Sequence, residues 1–238
     1  MKGIVLAGGL GTRLNPLTKL LNKHVLPVYD KPMFYYSLQT LVESGTKQIA
    51  VVSGPPFGAQ IKELLKHFRF PKDCRTFFID QPMPAGMPDA IRRCKTFAGK
   101  EPVMVIAGDN IYERGFAEET RSFTGGAVSF LRRTDDANRF GVPIYDIDGK
   151  LIGIIEKPVN IVSDWVVTGP HIFDNRVFHL IDNLRPSSRG ELEIADLNIE
   201  YLKLGSLKLV KRFDYWSDVG TYDSLLSASL YIRSKLKR

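Results

Sequence analysis

Three short apolar runs, each stopped by glycine, constrain this chain more than any other feature. Lys2–Ala7 ends at Gly8-Gly9, Gln48–Ser53 at Gly54-Pro55-Pro56, and Pro102–Ala107 at Gly108-Asp109-Asn110. Runs of this length and flanking read as strands, and the nearly all-apolar third run reads as a central parallel strand. Helical patterns lie between them. Pro32 opens a helix with apolar Met33, Tyr36, Leu38 and Leu41, and Gly45 closes it. A second helix is expected at about Ala59–His67, a strand at Arg75–Ile79, and a helix from Pro88 to about Phe97. After Asn110 the rhythm changes. Ala127–Arg132, Val142–Asp146, Leu151–Glu156 and Val166–Phe173 read as strands, with Asp148-Gly149 marking a hairpin between the second and third. Helices at about Arg176–Asn183 and Ile194–Leu204, a strand at Leu207–Lys211 and a last helix from Tyr222 to the end complete the pattern. It predicts one α/β domain over residues 1–238, a doubly wound, mostly parallel sheet followed by an antiparallel elaboration.

Composition removes whole classes. With 44% hydrophobic and 25% charged residues over 238 positions, the bulk of the chain is neither disordered nor fibrous. No run approaches the roughly 20 apolar residues of a membrane span, and the apolar run in Met1-Lys2-Gly3-Ile4-Val5-Leu6 is too short for a signal peptide. Cys74 and Cys94 cannot build a disulfide framework or a cysteine-only zinc site, so they read as inert thiols in a reducing cytoplasm. The net charge of +7 suits anionic partners. Its densest cluster, Arg233, Lys235, Lys237 and Arg238, fits a solvated helix end. No basic run is interleaved with aromatics, which points to phosphorylated small molecules ahead of nucleic acid.

The segment Leu6-Ala7-Gly8-Gly9-Leu10-Gly11-Thr12-Arg13-Leu14 follows the first strand, where bare backbone N–H groups can meet phosphates. A dinucleotide fingerprint fails, because Leu14 stands where its third glycine belongs and Asp30 precedes a helix-opening proline. A Walker loop fails for want of a Gly-Lys-Ser/Thr triplet. What remains is a glycine loop with Arg13, whose guanidinium can fork onto phosphate oxygens, and Lys23 ten residues on. Loop, arginine and lysine together suit a nucleoside triphosphate.

The run Gly8-Gly9-Leu10-Gly11-Thr12-Arg13-Leu14 with Pro16-Leu17-Thr18, Lys23 and Leu26-Pro27 resembles the signature of sugar-1-phosphate nucleotidylyltransferases. Asp30-Lys31-Pro32-Met33, Gly108-Asp109-Asn110, Glu156-Lys157-Pro158, Val167-Thr168-Gly169, Arg189-Gly190-Glu191-Leu192-Glu193 and Trp216-Ser217-Asp218-Val219-Gly220-Thr221 resemble the glucose-1-phosphate thymidylyltransferase branch, in family order along nearly the whole chain. The resemblance implies a Rossmann-like fold of the nucleotide-diphospho-sugar transferase type. It also implies Mg²⁺-dependent joining of dTTP and a hexose 1-phosphate, with release of pyrophosphate.

By that resemblance Leu6, Gly8, Gly9, Gly11, Thr12, Arg13, Gln81, Pro82, Gly86 and Asp109 serve the nucleotide. Asn110, Gly141, Glu156, Lys157, Val167, Arg189 and Trp216 serve the sugar phosphate. Asp109 and Asp218 hold the metal, and Arg13, Lys23, Asp109 and Lys157 form the catalytic set. Gln81 both donates and accepts, which suits the N3–H and a carbonyl of thymine or uracil.

Met87 and Pro88 after Gly86, Phe140, Ile155, Ser217 and Val219 depart from common family residues, which bears on the sugar more than on the reaction. Longer members carry extra C-terminal helices tied to subunit packing, so a homo-oligomer stays open. A UTP-dependent enzyme and a non-catalytic nucleotide-sugar-binding regulatory protein remain as alternatives.

Overall fold

The computed structural model describes residues 1–160 and 162–237. Arg238, the last member of the basic tail, lies outside the described residues. In chain order the strands are β1 (Lys2–Leu6), β2 (Pro27–Val28), β3 (Lys31–Pro32), β4 (Gln48–Ser53), β5 (Arg75–Asp80), β6 (Val103–Ala107) and β7 (Asn110–Tyr112). They continue as β8 (Ala127–Arg133), β9 (Gly141–Tyr145), β10 (Leu151–Glu156), β11 (Trp165–Phe173), β12 (Leu207–Lys211) and β13 (Trp216–Asp218). The helices are α1 (Met33–Glu43), α2 (Gly58–His67), α3 (Met87–Arg93), α4 (Lys95–Ala98), α5 (Ala117–Ser122), α6 (Val177–Asp182), α7 (Ile194–Lys203) and α8 (Tyr222–Leu236).

The chain divides into two compact units. The first holds Lys2–Pro84, Ile106–Arg121 and the chain from Asp214 onward; the second holds Met1, Ala85–Val105 and Ser122–Phe213.

In the first unit β1 pairs parallel with β4, and β4 parallel with β5. Every residue of β4 after Gln48 is buried, as a strand covered on both faces requires. The apolar stripe of α1 buries Phe34, Leu38 and Leu41. A two-stranded antiparallel ribbon joins β7 and β13, with Asn110 opposite Asp218 and Tyr112 opposite Trp216. Sequence patterning does not reveal this ribbon, because three-residue strands carry too little periodicity. Thr221 caps α8 reciprocally: its hydroxyl accepts from the Ser224 N–H, and the Ser224 hydroxyl accepts from the Thr221 N–H. Leu14, Leu26, Val28, Met33, Ile111, Val219 and Ala228 form one apolar cluster beneath these pieces.

In the second unit β11 pairs antiparallel with β6, β8 and β9, and β12 pairs parallel with β8. β9 and β10 form the expected hairpin, with Gly149 at φ 76° in its turn. Pro102–Ala107, expected as a central parallel strand, forms β6, and its pairing with β11 is antiparallel. Burial on both faces accounts for its apolar run equally well. The single helix expected from Pro88 to Phe97 is broken at Cys94 into α3 and α4.

A polar network crosses this second core. Ser129 donates to Asn198 Oδ1 at 3.0 Å, so its oxygen receives the Nδ1–H of His171 at 2.8 Å. Burial pushes the His171 imidazole down to about 4 from an ordinary 6.5. Above 6.5 both folded and unfolded chains hold it neutral. Between about 6.5 and about 4 only the unfolded chain takes up the proton, so stability falls as pH falls. Urea denaturation of the wild type at pH 7, 5.5 and 4.5 should show a His171 share of up to about 3 kcal/mol across that window. His171→Asn, less stable at pH 7, should show a correspondingly flatter pH slope. Equal slopes would remove His171 as the source.

Candidate functional site

The glycine segment takes its shape from one close approach. Gly11 lies at φ 61°, and a Cβ there would sit 3.0 Å from Lys23 Cβ and 3.2 Å from Thr18 Cγ2. Only glycine relieves both the backbone conformation and the crowding. Thr18 Oγ1 donates to the Gly11 carbonyl at 2.8 Å, which folds the loop back over Lys23. The short 3₁₀ turn Thr12–Leu14 buries Leu14 and leaves Thr12 and Arg13 exposed. Among the described residues Arg13 makes no ion pair, so its guanidinium is available to an anion.

Lys23 is held from below. Asn22 Nδ2 donates to the Ala7 carbonyl at 3.1 Å, and Asn22 Oδ1 accepts the His24 backbone N–H at 2.9 Å. The same oxygen lies 2.7 Å from His24 Nδ1, which must therefore carry the ring proton. Burial first, and then the Lys23 charge, push the His24 imidazole down to about 3. The ring is thus a neutral prop beside the Lys23 ammonium, which pairs with Asp109 Oδ2. Burial alone would raise the Asp109 carboxyl. The Lys23 charge and hydrogen bond, with a donor from Asn110, outweigh it and hold the group below the usual carboxylate range.

Asp109 follows the end of β6, and the β7–β13 ribbon sets its neighbours. Asn110 Nδ2 donates to Asp109 Oδ1 at 3.1 Å. Asn110 Oδ1 accepts from Trp216 Nε1 at 2.8 Å and from the Tyr112 hydroxyl at 3.1 Å. Ser37 Oγ donates to the Asn110 carbonyl at 3.1 Å, and the Val219 N–H donates to the Asp109 carbonyl at 2.8 Å. Asp218 stands opposite Asn110 in the ribbon. Two segments more than a hundred residues apart thereby bring both predicted metal ligands to one ribbon end.

Leu6, predicted for the nucleotide, is the buried last residue of β1. Gln81 is buried, and its Oε1 lies 3.0 Å from where a Cβ on Gly8 would be. Gly8, Gly9, Asn22, Pro55, Phe57 and Gln81 line one pocket, so the predicted base reader and the glycine loop share a wall. Pro82 is exposed in the loop that follows.

The second unit carries the other predicted residues. Gly86, at φ 95°, bridges Leu192, and a Cβ there would lie 2.1 Å from the Leu192 carbonyl oxygen. Val167 pairs with Gly141, and its side chain packs with Leu131, Ile154 and Ala195. A Cβ on Gly141 would approach Glu156 Oε2 to 3.4 Å, so that carboxylate lies over the Gly141 backbone. Burial raises the Glu156 carboxyl against the opposing pull of Lys157, whose Nζ lies 3.7 Å from Glu156 Oε1. Lys157 holds a left-handed backbone at φ 49°, and its N–H donates to the Phe140 carbonyl at 2.9 Å.

Arg189 forks onto Glu193, reaching each carboxylate oxygen at 2.7 Å, and Ser187 donates to the same group at 2.7 Å. Glu193 is therefore part of this cluster. Its i,i+4 spacing from Arg189 was the available signal. Sequence reasoning also passed over His24 and Tyr112, whose contacts depend on folding.

The first cluster can meet phosphates with cations and carboxylates, and the second can meet a hydroxyl-rich anion. Similarity to known proteins narrows this chemistry. The nucleotidyl transferase family matches residues 2–235. A glucose-1-phosphate thymidylyltransferase of Neisseria meningitidis is 40% identical over 98% of this chain and 83% of its own length. One from Mycolicibacterium smegmatis is 38% identical over the same shares. Among solved structures, a Bacillus anthracis protein assigned as a glucose-1-phosphate thymidylyltransferase, in complex with a sucrose, superposes with TM-score 0.88 at 37% identity, covering 98% of this chain and 95% of that one. A UDP-glucose pyrophosphorylase complexed with UDP-glucose shares the fold, with TM-score 0.85 at 21% identity over 98% of each chain. Motif order, site geometry and these similarities agree, and the chain belongs to the nucleotidyl transferase family.

Proposed function

We propose that this protein transfers the thymidylyl group of dTTP to glucose 1-phosphate or a related hexose 1-phosphate, releasing pyrophosphate. The observation that carries the reading is the ribbon end, where Lys23, Asp109, Asn110 and Asp218 gather beside the glycine loop's strand. The names of the thymidylyltransferase relatives support the substrates. A sugar-phosphate oxygen attacks the α-phosphorus, a P–O bond forms there, and the bond to pyrophosphate breaks. The nucleophile is already ionised, so the work is orientation and charge neutralisation rather than proton removal. Arg13 neutralises the triphosphate and the departing pyrophosphate, and Lys23 grips the reacting phosphates. Gln81 reads the pyrimidine edge. Lys157 and Arg189 clamp the sugar phosphate, and Glu156 accepts from sugar hydroxyls. In this reading the chain acts as a single catalytic domain.

The carboxylates of Asp109 and Asp218 are hard oxygen donors that suit Mg²⁺, and the pairing of Asp109 with the Lys23 ammonium supports this. Among the described residues no three His, Cys, Asp or Glu side chains form a metal cluster, so further oxygens would come from water and phosphates. When bound, Mg²⁺ would neutralise phosphate charge.

A pyrophosphate-release assay over dTTP, UTP, CTP and GTP against several sugar 1-phosphates tests the reading. Gln81 reads atoms common to thymine and uracil, so dTTP and UTP should both serve, dTTP ahead by no more than about 100-fold in kcat/KM. A preference for CTP or GTP would overturn the base-site assignment. Asp218→Asn should lower turnover at least about 100-fold at saturating Mg²⁺, with folding retained. Near-normal turnover would release Asp218 from metal binding. Lys157→Ala and Lys157→Gly should both raise the KM for sugar phosphate more than that for dTTP. The glycine variant should be the more stable by about 1 kcal/mol in thermal melts, because it suits the left-handed backbone.

A further inference from the structure

Asn110 occupies a position that the family resemblance gives to the sugar phosphate, yet its side chain is spoken for inside the protein. It is 6% exposed, and its carboxamide bonds to Trp216, Tyr112 and Asp109. The decisive partner is Trp216, because an indole N–H can only donate. At 2.8 Å it requires an acceptor, so the carboxamide oxygen must face Trp216. The Tyr112 hydroxyl, 3.1 Å from the same oxygen and 7% exposed, adds a second donor. With Oδ1 committed twice, Nδ2 has one direction left, and there it meets Asp109 Oδ1 at 3.1 Å. Rotating the amide would set N–H groups against the indole N–H and leave an aspartate oxygen facing another oxygen, each a buried mismatch.

The backbone enforces the same choice. Tyr112 and Trp216 are register partners in the ribbon, as are Asn110 and Asp218. Alternation places Asn110 and Tyr112 on one face of β7, and Trp216 and Asp218 on one face of β13. The Tyr112 ring is fixed in turn by an edge-on contact with Phe116, centroids 5.2 Å apart.

We propose that Trp216 and Tyr112 are positioning residues. Together they lock the Asn110 carboxamide in one orientation, so that Asn110 permanently donates to Asp109 Oδ1 and holds that carboxylate at the angle the reaction needs. This rests on the reading of Asp109 as a phosphate- and metal-handling residue, and it adds two residues that act through Asn110 without touching the reacting atoms.

Tyr112→Phe is the cleanest probe, because it keeps the ring and its contact with Phe116 while deleting one donor. It should lower kcat about 5-fold, leave the KM for dTTP within twofold, and weaken Mn²⁺ binding about 3-fold by calorimetry on the substrate-free protein. Its melting temperature should stay within a few degrees of wild type. In an Asn110→Ala background the same change should have no further effect on kcat or on Mn²⁺ affinity. A full Tyr112→Phe effect in that background, or a silent Tyr112→Phe, overturns the proposal.

Nuclear magnetic resonance supplies a readout independent of turnover. The chain has two tryptophans, so the Trp216 indole N–H can be assigned by mutation. Tyr112→Phe and Asn110→Ala should both shift that resonance, and its invariance in both variants also overturns the proposal. A wild type that fails to release pyrophosphate from any substrate pair, yet shows these shifts and Mn²⁺ effects, would sink the functional reading while leaving the lock intact.

Discussion

The buried pair of Lys23 and Asp109 is the interaction on which the site depends. Two charges removed from water are tolerable only when each is satisfied, and losing one partner strands the other. The fold around them supplies those conditions. The Asn22 turn fixes the approach of Lys23, neutral His24 adds no competing charge, and Asn110 occupies the second aspartate oxygen. The glycine loop crosses Lys23 where no side chain could stand. Each element is small, and most are loops or three-residue strands. Their order comes from being pinned to one ion pair.

A second charge arrangement follows different rules. In the unit holding Glu156, Lys157, Arg189 and Glu193, the cations are partly exposed and already share carboxylates. An exposed ion pair is weak and readily exchanged, so these pairs can rearrange at small cost. Glu156 differs, because burial disfavours its charged form. The strained backbone at Lys157 belongs with this cluster, since backbone strain gathers where side-chain direction matters more than local comfort.

Much of this was legible before folding. The parallel core strands β1, β4 and β5 follow from apolar runs ended by glycine or polar turns, and Leu151–Glu156 and Leu207–Lys211 from patterning alone. Gly11, Arg13, Lys23 and Asp109 drew attention as candidates because they sit in short motifs whose chemistry is local. Other features were not. The bonds of Asn110 to Trp216 and Tyr112 emerge only from the register of β7 against β13. The packing of the Val167 side chain with Leu131, Ile154 and Ala195 is a fact of cross-strand packing that no spacing encodes. The antiparallel partner of β6 was hidden for a similar reason: burial on both faces looks alike in either direction.

The contact between Gly86 and Leu192 has an evolutionary consequence. Because the two backbones bridge with no room for a Cβ, every substitution at Gly86 must push apart the starts of α3 and α7. Met87, immediately after it, is half-buried and Pro88 is buried. Variation at this point is therefore constrained by the backbone itself, since any larger residue at Gly86 must first displace the Leu192 carbonyl.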